Sequence, residues 1–277
     1  MDMLELVLLL LSVSVIAGFV GAVFGIGGGV LIVPALTLLL RIPVRVAIGV
    51  SLISVVATSA GASAAFVRDH WTNLRIAMAL EVATVSGALV GAALAGVVSP
   101  RVLEGLFALA MLVSAVEMLR RHERHETQRQ CDRVARFLRL GSSYPSESGP
   151  VAYGVRRVPL GAVLMSVAGL ASGMLGIGAG VLKVTAMDSV MGLPFKVSSA
   201  TSNFMIGVTA GAGALVYLAR GDVSPILAGP VALGVAGGAL AGSHMLVRAN
   251  VRLLRPAFVV LLLFVAVEMA WRGLRGG

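Results

Sequence analysis

Apolar stretches of membrane-spanning length follow one another from residue 4 to residue 271, and this run constrains the fold more than any other feature. A bilayer crossing takes roughly 20 predominantly apolar residues. Stretches of that order occupy 4–24, 47–67, 76–98, 102–119, 160–175, 198–218, 226–246 and 253–271. Clusters joining charge to a turn former close them, as at Arg68-Asp69-His70 and Ser99-Pro100-Arg101. Hydrophobic residues make up 58% of the chain and charged ones 13%, against about 25% charged in a soluble domain. Too little polar surface remains for water, so the chain is predicted to be an all-α polytopic membrane protein.

The second half repeats the first at a fixed offset of 151 residues. Gly18 falls on Gly169, Gly25-Ile26-Gly27 on Gly176-Ile177-Gly178, Gly29 on Gly180, Pro43 on Pro194 and Thr58 on Thr209. Further on, Gly87 falls on Gly238, Gly91 on Gly242, Arg101 on Arg252 and Glu117-Met118 on Glu268-Met269. Chance similarity between apolar helices does not keep glycine, proline and charge in one ungapped register, so the sequence predicts two homologous repeats. The predicted regions are a first membrane repeat at 1–119, a basic cytoplasmic loop at 120–157 and a second membrane repeat at 158–277. With five crossings each, the repeats are inverted and both termini lie outside; with four, they are parallel. Arg41 and Arg45 weigh almost equally against Arg68 and Arg75, and the inverted form is favoured. Paired repeats whose interface alternates in access are a common plan of secondary transporters.

After each glycine cluster comes an apolar stretch of only about 11–13 residues, at 30–40 and 181–191, which covers about 15–20 Å as a helix. Such a helix is short, broken or re-entrant. The clusters Gly25-Ile26-Gly27-Gly28-Gly29 and Gly176-Ile177-Gly178-Ala179-Gly180 superficially resemble a phosphate loop. No soluble strand precedes them, no lysine with serine or threonine stands at the Walker spacing, and no acidic ribose partner follows. In a membrane, glycines let the backbone leave helical geometry and restart, presenting amide donors and a positive dipole end to an anion. Close helix packing, or the apex of a simple hairpin, is the plainer use of the same glycines.

The duplicated cluster, with Val33-Pro34 after its first copy, resembles the signature of the sulfite exporter TauE/SafE family of membrane permeases. The similarity covers both halves and leaves out the loop at 120–157. It implies a secondary permease of the bacterial inner membrane that moves a small sulfur-containing anion such as sulfite or a sulfonate, or another small organic anion. The second copy departs from the pattern, with Ala179 in place of the middle glycine and Thr185 where the first half has Pro34.

Around these breaks the residues suggest a substrate-binding set: Gly27, Gly28, Gly29, Gly178, Ala179, Gly180, Lys183, Ser202, Asn203, Ser51 and Thr58. Lys183 is the most unusual, an ammonium inside an apolar stretch where the first half has Ile32. Intramembrane charge is costly and its default reading is functional: countercharge to an anion, or carriage of a coupling proton. Snorkelling to an interface, or pairing with Asp188, is the structural alternative. Ser51, Ser54 and Thr58, and on the matched helix Ser198, Ser199, Thr201, Ser202, Asn203 and Thr209, offer hydroxyls and an amide to oxyanion oxygens, or bond their own helices. Glu81 is expected to cap or solvate the start of its helix, with coupling as a lesser role. Glu117 and Glu268 are expected to pair with Arg120 and Arg272. Gly87 and Gly91, and Gly234, Gly238 and Gly242, form small-residue faces expected to pack the matched helices together, with homodimerisation as a lesser option.

The loop at 120–157 carries nine arginines, which fit cytoplasmic anchoring better than nucleic-acid binding despite the formal charge of +9. Val134, Phe137, Leu138 and Leu140 among Arg133, Arg136 and Arg139 suggest a short helix against lipid headgroups; a solvated connector is the alternative. Asp2 and Glu5, with no basic region before them, make the start read as a retained helix. The single cysteine, Cys131, excludes an internal disulfide and any thiolate-rich metal site. His70, His122, His125 and His244 do not assemble a persuasive metal set, and no nucleophile with a base, nucleotide-hydrolysis motif or cofactor fingerprint is present. The expected function is secondary transport of a small anion driven by a proton, sodium or potential gradient. An anion channel, a carboxylate transporter and a non-transporting assembly or sensor protein are the alternatives.

Overall fold

The computed structural model describes residues 3–24, 27–120, 131–145, 149–248 and 251–275. Gly25, Ile26, His122 and His125 therefore lie outside the described residues. In chain order come α1 (Met3–Phe24), α2 (Gly29–Pro34) with a π-helical extension Ala35–Leu39, α3 (Val44–Arg68), α4 (Leu74–Val97) and α5 (Pro100–Arg120). The loop holds α6 (Arg133–Phe137) and a hairpin of β1 (Ser142–Tyr144) and β2 (Val151–Tyr153). Then follow α7 (Val158–Leu175), α8 (Gly180–Thr185) with a π-helical extension Ala186–Val190, α9 (Phe195–Arg220), α10 (Pro225–Arg248) and α11 (Val251–Arg275).

Among the described residues, six helices are long and apolar enough to cross a membrane: α1, α3, α4, α7, α9 and α10. Their outward faces carry large aliphatics such as Val82, Val97, Leu215 and Leu233, while hydroxyls are buried on α3 and α9, including Ser51, Ser54, Thr58, Ser198, Thr201 and Thr209. Burying hydroxyls and exposing aliphatics fits a hydrocarbon solvent, in which polar groups must find partners inside the protein. The protein is an all-α polytopic membrane protein.

The two short helices turn back on the helices before them. Arg156 N–H, just before α7, donates to the Met191 carbonyl at the end of the α8 extension, and Met191 packs on Gly161 in the first turn of α7. In the first half, Ile32, Leu36 and Leu39 face Leu9, Leu10 and Val13 of α1. Pro34 is not the cause of the π-helical extension, because one also follows Thr185 in the second half.

Glycine sets the close helix contacts, but with different partners from those expected. Gly87 and Gly91 of α4 bear on Ser166 and Leu170 of α7, and Gly234, Gly238 and Gly242 of α10 bear on Leu11, Val15 and Phe19 of α1. Each glycine face thus packs on the opening helix of the opposite half and not on its matched helix, because Gly169 and Gly173 of α7 and Gly18 of α1 supply the complementary hollows. The order of these contacts makes α1 and α10 run in the same direction, and likewise α7 and α4. Arg272 at the end of α11 makes a 3.2 Å ion pair with Glu104 of α5, a partner the sequence did not suggest.

The loop is more than a connector. Asp132 caps α6, and its second oxygen accepts from Val158 N–H at the start of α7. Tyr144 stacks on Trp71, and Asn73 donates to the Leu140 carbonyl and to the Tyr153 hydroxyl at 2.9 and 2.8 Å. Burial pushes the Tyr153 phenol above its ordinary range, so it stays protonated in this contact. Phe137 is 86% exposed and Val134 and Leu138 are also exposed, whereas Leu140, just past α6, is buried and anchors the segment.

Candidate functional site

The two glycine breaks meet at the centre of the molecule, between α3 and α9, which pack against each other. A Cβ on Gly29 would overlap the Gly176 carbonyl and stand 2.6 Å from Ser51 Oγ, so only glycine lets the two breaks touch. Ser51 Oγ donates to that same Gly176 carbonyl at 2.7 Å, tying α3 of the first half to the break of the second. Gly27 and Gly178 both hold positive φ, at 81° and 69°. The residues that open the two short helices differ: Gly28 is right-handed at φ −64°, whereas Ala179 is left-handed at φ 48°. Glycine at 28 answers to space instead, since a Cβ there would lie 3.1 Å from Thr58 Oγ1. Alanine at 179 tolerates a conformation that costs an ordinary residue about 1–2 kcal/mol.

Lys183 lies on α8 with no solvent exposure. Its Nζ donates to Thr209 Oγ1 on α9 at 2.6 Å, and the same hydroxyl lies 2.6 Å from Glu81 Oε1 on α4. Snorkelling to an interface is excluded by this burial. Glu81 does not cap its helix: Asn73 does, accepting from Ile76 N–H at 3.1 Å. Seven residues into α4, Glu81 instead reaches across to the second half, and Lys183 is the charge that acts on it. Sequence reasoning ranked Glu81 low because nothing in the spacing of residues 81, 183 and 209 announces that three helices bring them together.

The other expected residues distribute unevenly. Ser202 Oγ makes a long 3.4 Å bond to the Gly180 carbonyl. Asn203 donates its side-chain amide to the Ser199 carbonyl of its own helix at 3.2 Å, while its backbone carbonyl accepts from Ser59 Oγ. Thr58 donates to the Ser54 carbonyl at 2.9 Å. Missed by the sequence reading were Ser172 on α7 and Thr185 on α8, whose buried hydroxyls, like those of Ser198 and Ser199 on α9, have no hydrogen-bond partner among the described residues. Such groups are uncommon in a settled interior and are available to a polar ligand. A cavity of about 290 Å³ also reaches the breaks, between α5 and α7, but its lining of Val30, Leu106, Met174, Ile177, Ala179 and neighbours is almost wholly apolar. Lys183 lies outside that lining, and no group of three or more metal-ligating residues occurs among the described residues.

Comparison with known proteins agrees with this architecture. Over 274 residues the chain is 22% identical to the probable membrane transporter protein YunE of Bacillus subtilis, covering 96% of this chain and 98% of that protein. It is 26% identical to the probable membrane transporter protein YdhB of the same organism over 238 residues, 86% of this chain and 88% of that one. A probable membrane transporter protein of Xylella fastidiosa is 34% identical over 110 residues, 39% of this chain and 42% of its own. No solved structure matches the chain. The sequence profile described as sulfite exporter TauE/SafE matches residues 10–269, nearly the whole chain. A multi-pass helical protein of the bacterial inner membrane that transports small anions, this chain belongs to the sulfite exporter TauE/SafE family.

Proposed function

We propose that the protein is a secondary transporter of small sulfur-containing anions, sulfite or a sulfonate, and that it binds them where the two glycine breaks meet. The observation that carries this reading is Lys183: a fully buried ammonium on the short helix directly after the second break. A buried cation needs an anionic partner; Glu81, reached through Thr209, serves when the site is empty, and a sulfonate or sulfite group, which accepts several hydrogen bonds at once, takes its place. Gly27, Gly28 and Gly29, with Gly178, Ala179 and Gly180, form the backbone floor of the site. Ser51, Thr58, Ser202 and Asn203, together with the unpartnered hydroxyls of Ser172, Thr185, Ser198 and Ser199, supply polar groups around it.

In this reading residues 1–119 and 158–277 are inverted repeats, and 120–157 is a cytoplasmic loop. The parallel pairs α1 with α10 and α4 with α7, each joining the opening helix of one half to a helix of the other, favour that arrangement. The protein then alternates access by rocking the halves about the packed α3 and α9. Exposed Phe137, beside Arg133, Arg136 and Arg139, rests the loop on anionic headgroups.

The test is flux in proteoliposomes across sulfite, thiosulfate, sulfoacetate, taurine, sulfate and short carboxylates, with proton and sodium gradients imposed separately. Saturable uptake of a sulfur-containing anion, reduced at least about 100-fold in Lys183→Ala with the protein still folded, is the expected result; a loss of roughly 3 kcal/mol of charge-assisted bonding has this size. Flux unchanged in both Lys183→Ala and Gly27→Ala would sink the site. Preference for carboxylates over sulfur anions would redirect the substrate, and channel-like rates without exchange would replace the carrier mechanism.

A further inference from the structure

An anion bound to Lys183 leaves Glu81 unexplained, because a carboxylate beside an anion site repels the substrate. Its geometry is specific. Glu81 Oε1 lies 2.6 Å from Thr209 Oγ1, while Oε2 is buried without a hydrogen-bond partner among the described residues. The Thr84 hydroxyl donates to the Glu81 backbone carbonyl at 3.0 Å and also lies close enough to act on the Glu81 carboxyl. Thr209 stands between the two charges. Its oxygen accepts from Lys183 Nζ at 2.6 Å, and its single proton has two possible acceptors, Glu81 Oε1 at 2.6 Å and the Met205 carbonyl at 2.8 Å.

That arrangement takes up a proton without moving. With Glu81 ionised, the Thr209 hydroxyl donates to Oε1. With Glu81 protonated, its own O–H donates to Thr209 Oγ1, which has two acceptor positions, and the Thr209 proton turns to Met205. Charge counting gives the consequence. The empty site, Glu81 carboxylate with Lys183 ammonium, is neutral. Adding a monovalent anion alone leaves one negative charge, and adding a proton alone leaves one positive charge. Adding both restores neutrality. In a buried, low-dielectric site the two charged states are strongly disfavoured relative to the neutral ones.

Resting on the anion site proposed above, we infer that Glu81 is a proton-binding residue that makes anion transport proton-coupled, one proton moving with each monovalent anion. Glu81 acts as an internal substitute for the substrate: it balances Lys183 when the site is empty and is neutralised when the anion takes its place. The proton comes from the aqueous phase to which the site is open and leaves to the other, with no bond made or broken in the anion. Apart from Asp188 on the extension of α8, the surrounding elements bring no other carboxylate to Lys183 among the described residues. Of the two helices packed against α4, α7 carries no charged side chain between Val158 and Leu175, and α9 carries Lys196 and Arg220 near its two ends. On α4 itself the other charge is Arg75 in the first turn, which donates to the Arg139 carbonyl. On α8 and its extension the charges are Lys183 and Asp188. Residues at the offset of 151 point the same way: where this junction has Lys183 and Glu81, the other half has Ile32 and Ala232, so both charges are missing there together.

The experiment uses the full chain in proteoliposomes loaded with a pH dye, with potassium and valinomycin clamping the potential. Methanesulfonate and isethionate serve as probes, being monoanions with no titrating group of their own. Wild type should acidify the lumen by about one proton per anion taken up, with uptake rising up to about tenfold per unit of falling external pH before saturation. Glu81→Gln should lose that pH dependence and lose net uptake at least about tenfold, while keeping anion-for-anion exchange, since its site is neutral only when loaded. Anion uptake that depends on Lys183 but brings no proton, or a Glu81→Gln protein with the wild-type pH profile, would overturn this inference and leave the anion site standing. Absence of sulfonate flux in wild type, or flux untouched by Lys183→Gln, would overturn both. Should Glu81→Gln fail to fold, the wild-type proton count decides alone.

Discussion

Two junctions of this molecule share a scaffold and differ in charge. At one, α4, α8 and α9 bring Glu81, Lys183 and Thr209 together. The positions 151 residues away are Ala232, Ile32 and Thr58, on α10, α2 and α3, and α3 packs against both α2 and α10. The threonine is common to both and bonds its own helix in both, Thr58 to the Ser54 carbonyl at 2.9 Å and Thr209 to that of Met205 at 2.8 Å. The charges occur at one junction only, and there as a pair. A single buried charge would destabilise the protein by several kcal/mol, so neither can stand without the other. The scaffold is therefore what the halves have in common, and the chemistry is where they part.

The comparison breaks most visibly if one charge is removed. Lys183→Ile gives this junction the residue of its counterpart but strands Glu81, and should cost about 3–5 kcal/mol of stability together with transport. Adding Glu81→Ala should restore most of the thermal stability without restoring flux. Equal melting temperatures for the single and double variants would show that the two charges do not depend on each other.

Next in size are the glycines. Gly29→Ala drives a methyl into the Gly176 carbonyl and Ser51 Oγ and should cost about 2–3 kcal/mol. Gly27→Ala meets nothing closer than 3.4 Å but must hold φ 81°, which costs about 1–2 kcal/mol. On α10, Gly238→Ala should separate that helix from α1, whereas neighbouring Gly237, with nothing within 4 Å, should accept alanine with a gain of up to about 1 kcal/mol. Thermal unfolding in one detergent reads all four, and a Gly237 variant as damaged as the Gly238 one would refute the assignment of faces.

The smallest effect compares the two serines 151 residues apart. Ser51→Ala loses a 2.7 Å bond to the opposite half's break and should cost about 1 kcal/mol. Ser202→Ala loses only a 3.4 Å bond to its own half's Gly180 and should cost less than about 0.5 kcal/mol. The reverse order would mean that the breaks are held together by something other than Ser51.

Much of the fold was legible because its signals are local. Apolar length marked α1, α3, α4, α7, α9 and α10, and the shortness of the stretches after each glycine cluster marked α2 and α8 as helices that turn back. The π-helical extensions were not legible, since one follows a proline and the other a threonine. Gly87 and Gly238 were recognisable as packing positions, but a glycine says only that something comes close, not which helix. Lys183 stood out because charge in an apolar stretch is costly wherever it lies. Glu81 did not, because a carboxylate near a helix start has an ordinary use at an interface, and its value here depends on Thr209, 128 residues away.

By itself the sequence determined the solvent, the helix lengths, the places where the backbone breaks and the family, since each depends on residue type and near spacing along one chain. Only the tertiary structure decided that the two breaks touch at Gly29 and Gly176, that the glycine faces pair across the halves, and that Lys183 faces Glu81 through Thr209. The physical reason is that a buried charge or a bare backbone carbonyl is satisfied by whatever folding places within about 3 Å of it, and distance along the chain carries no information about that partner.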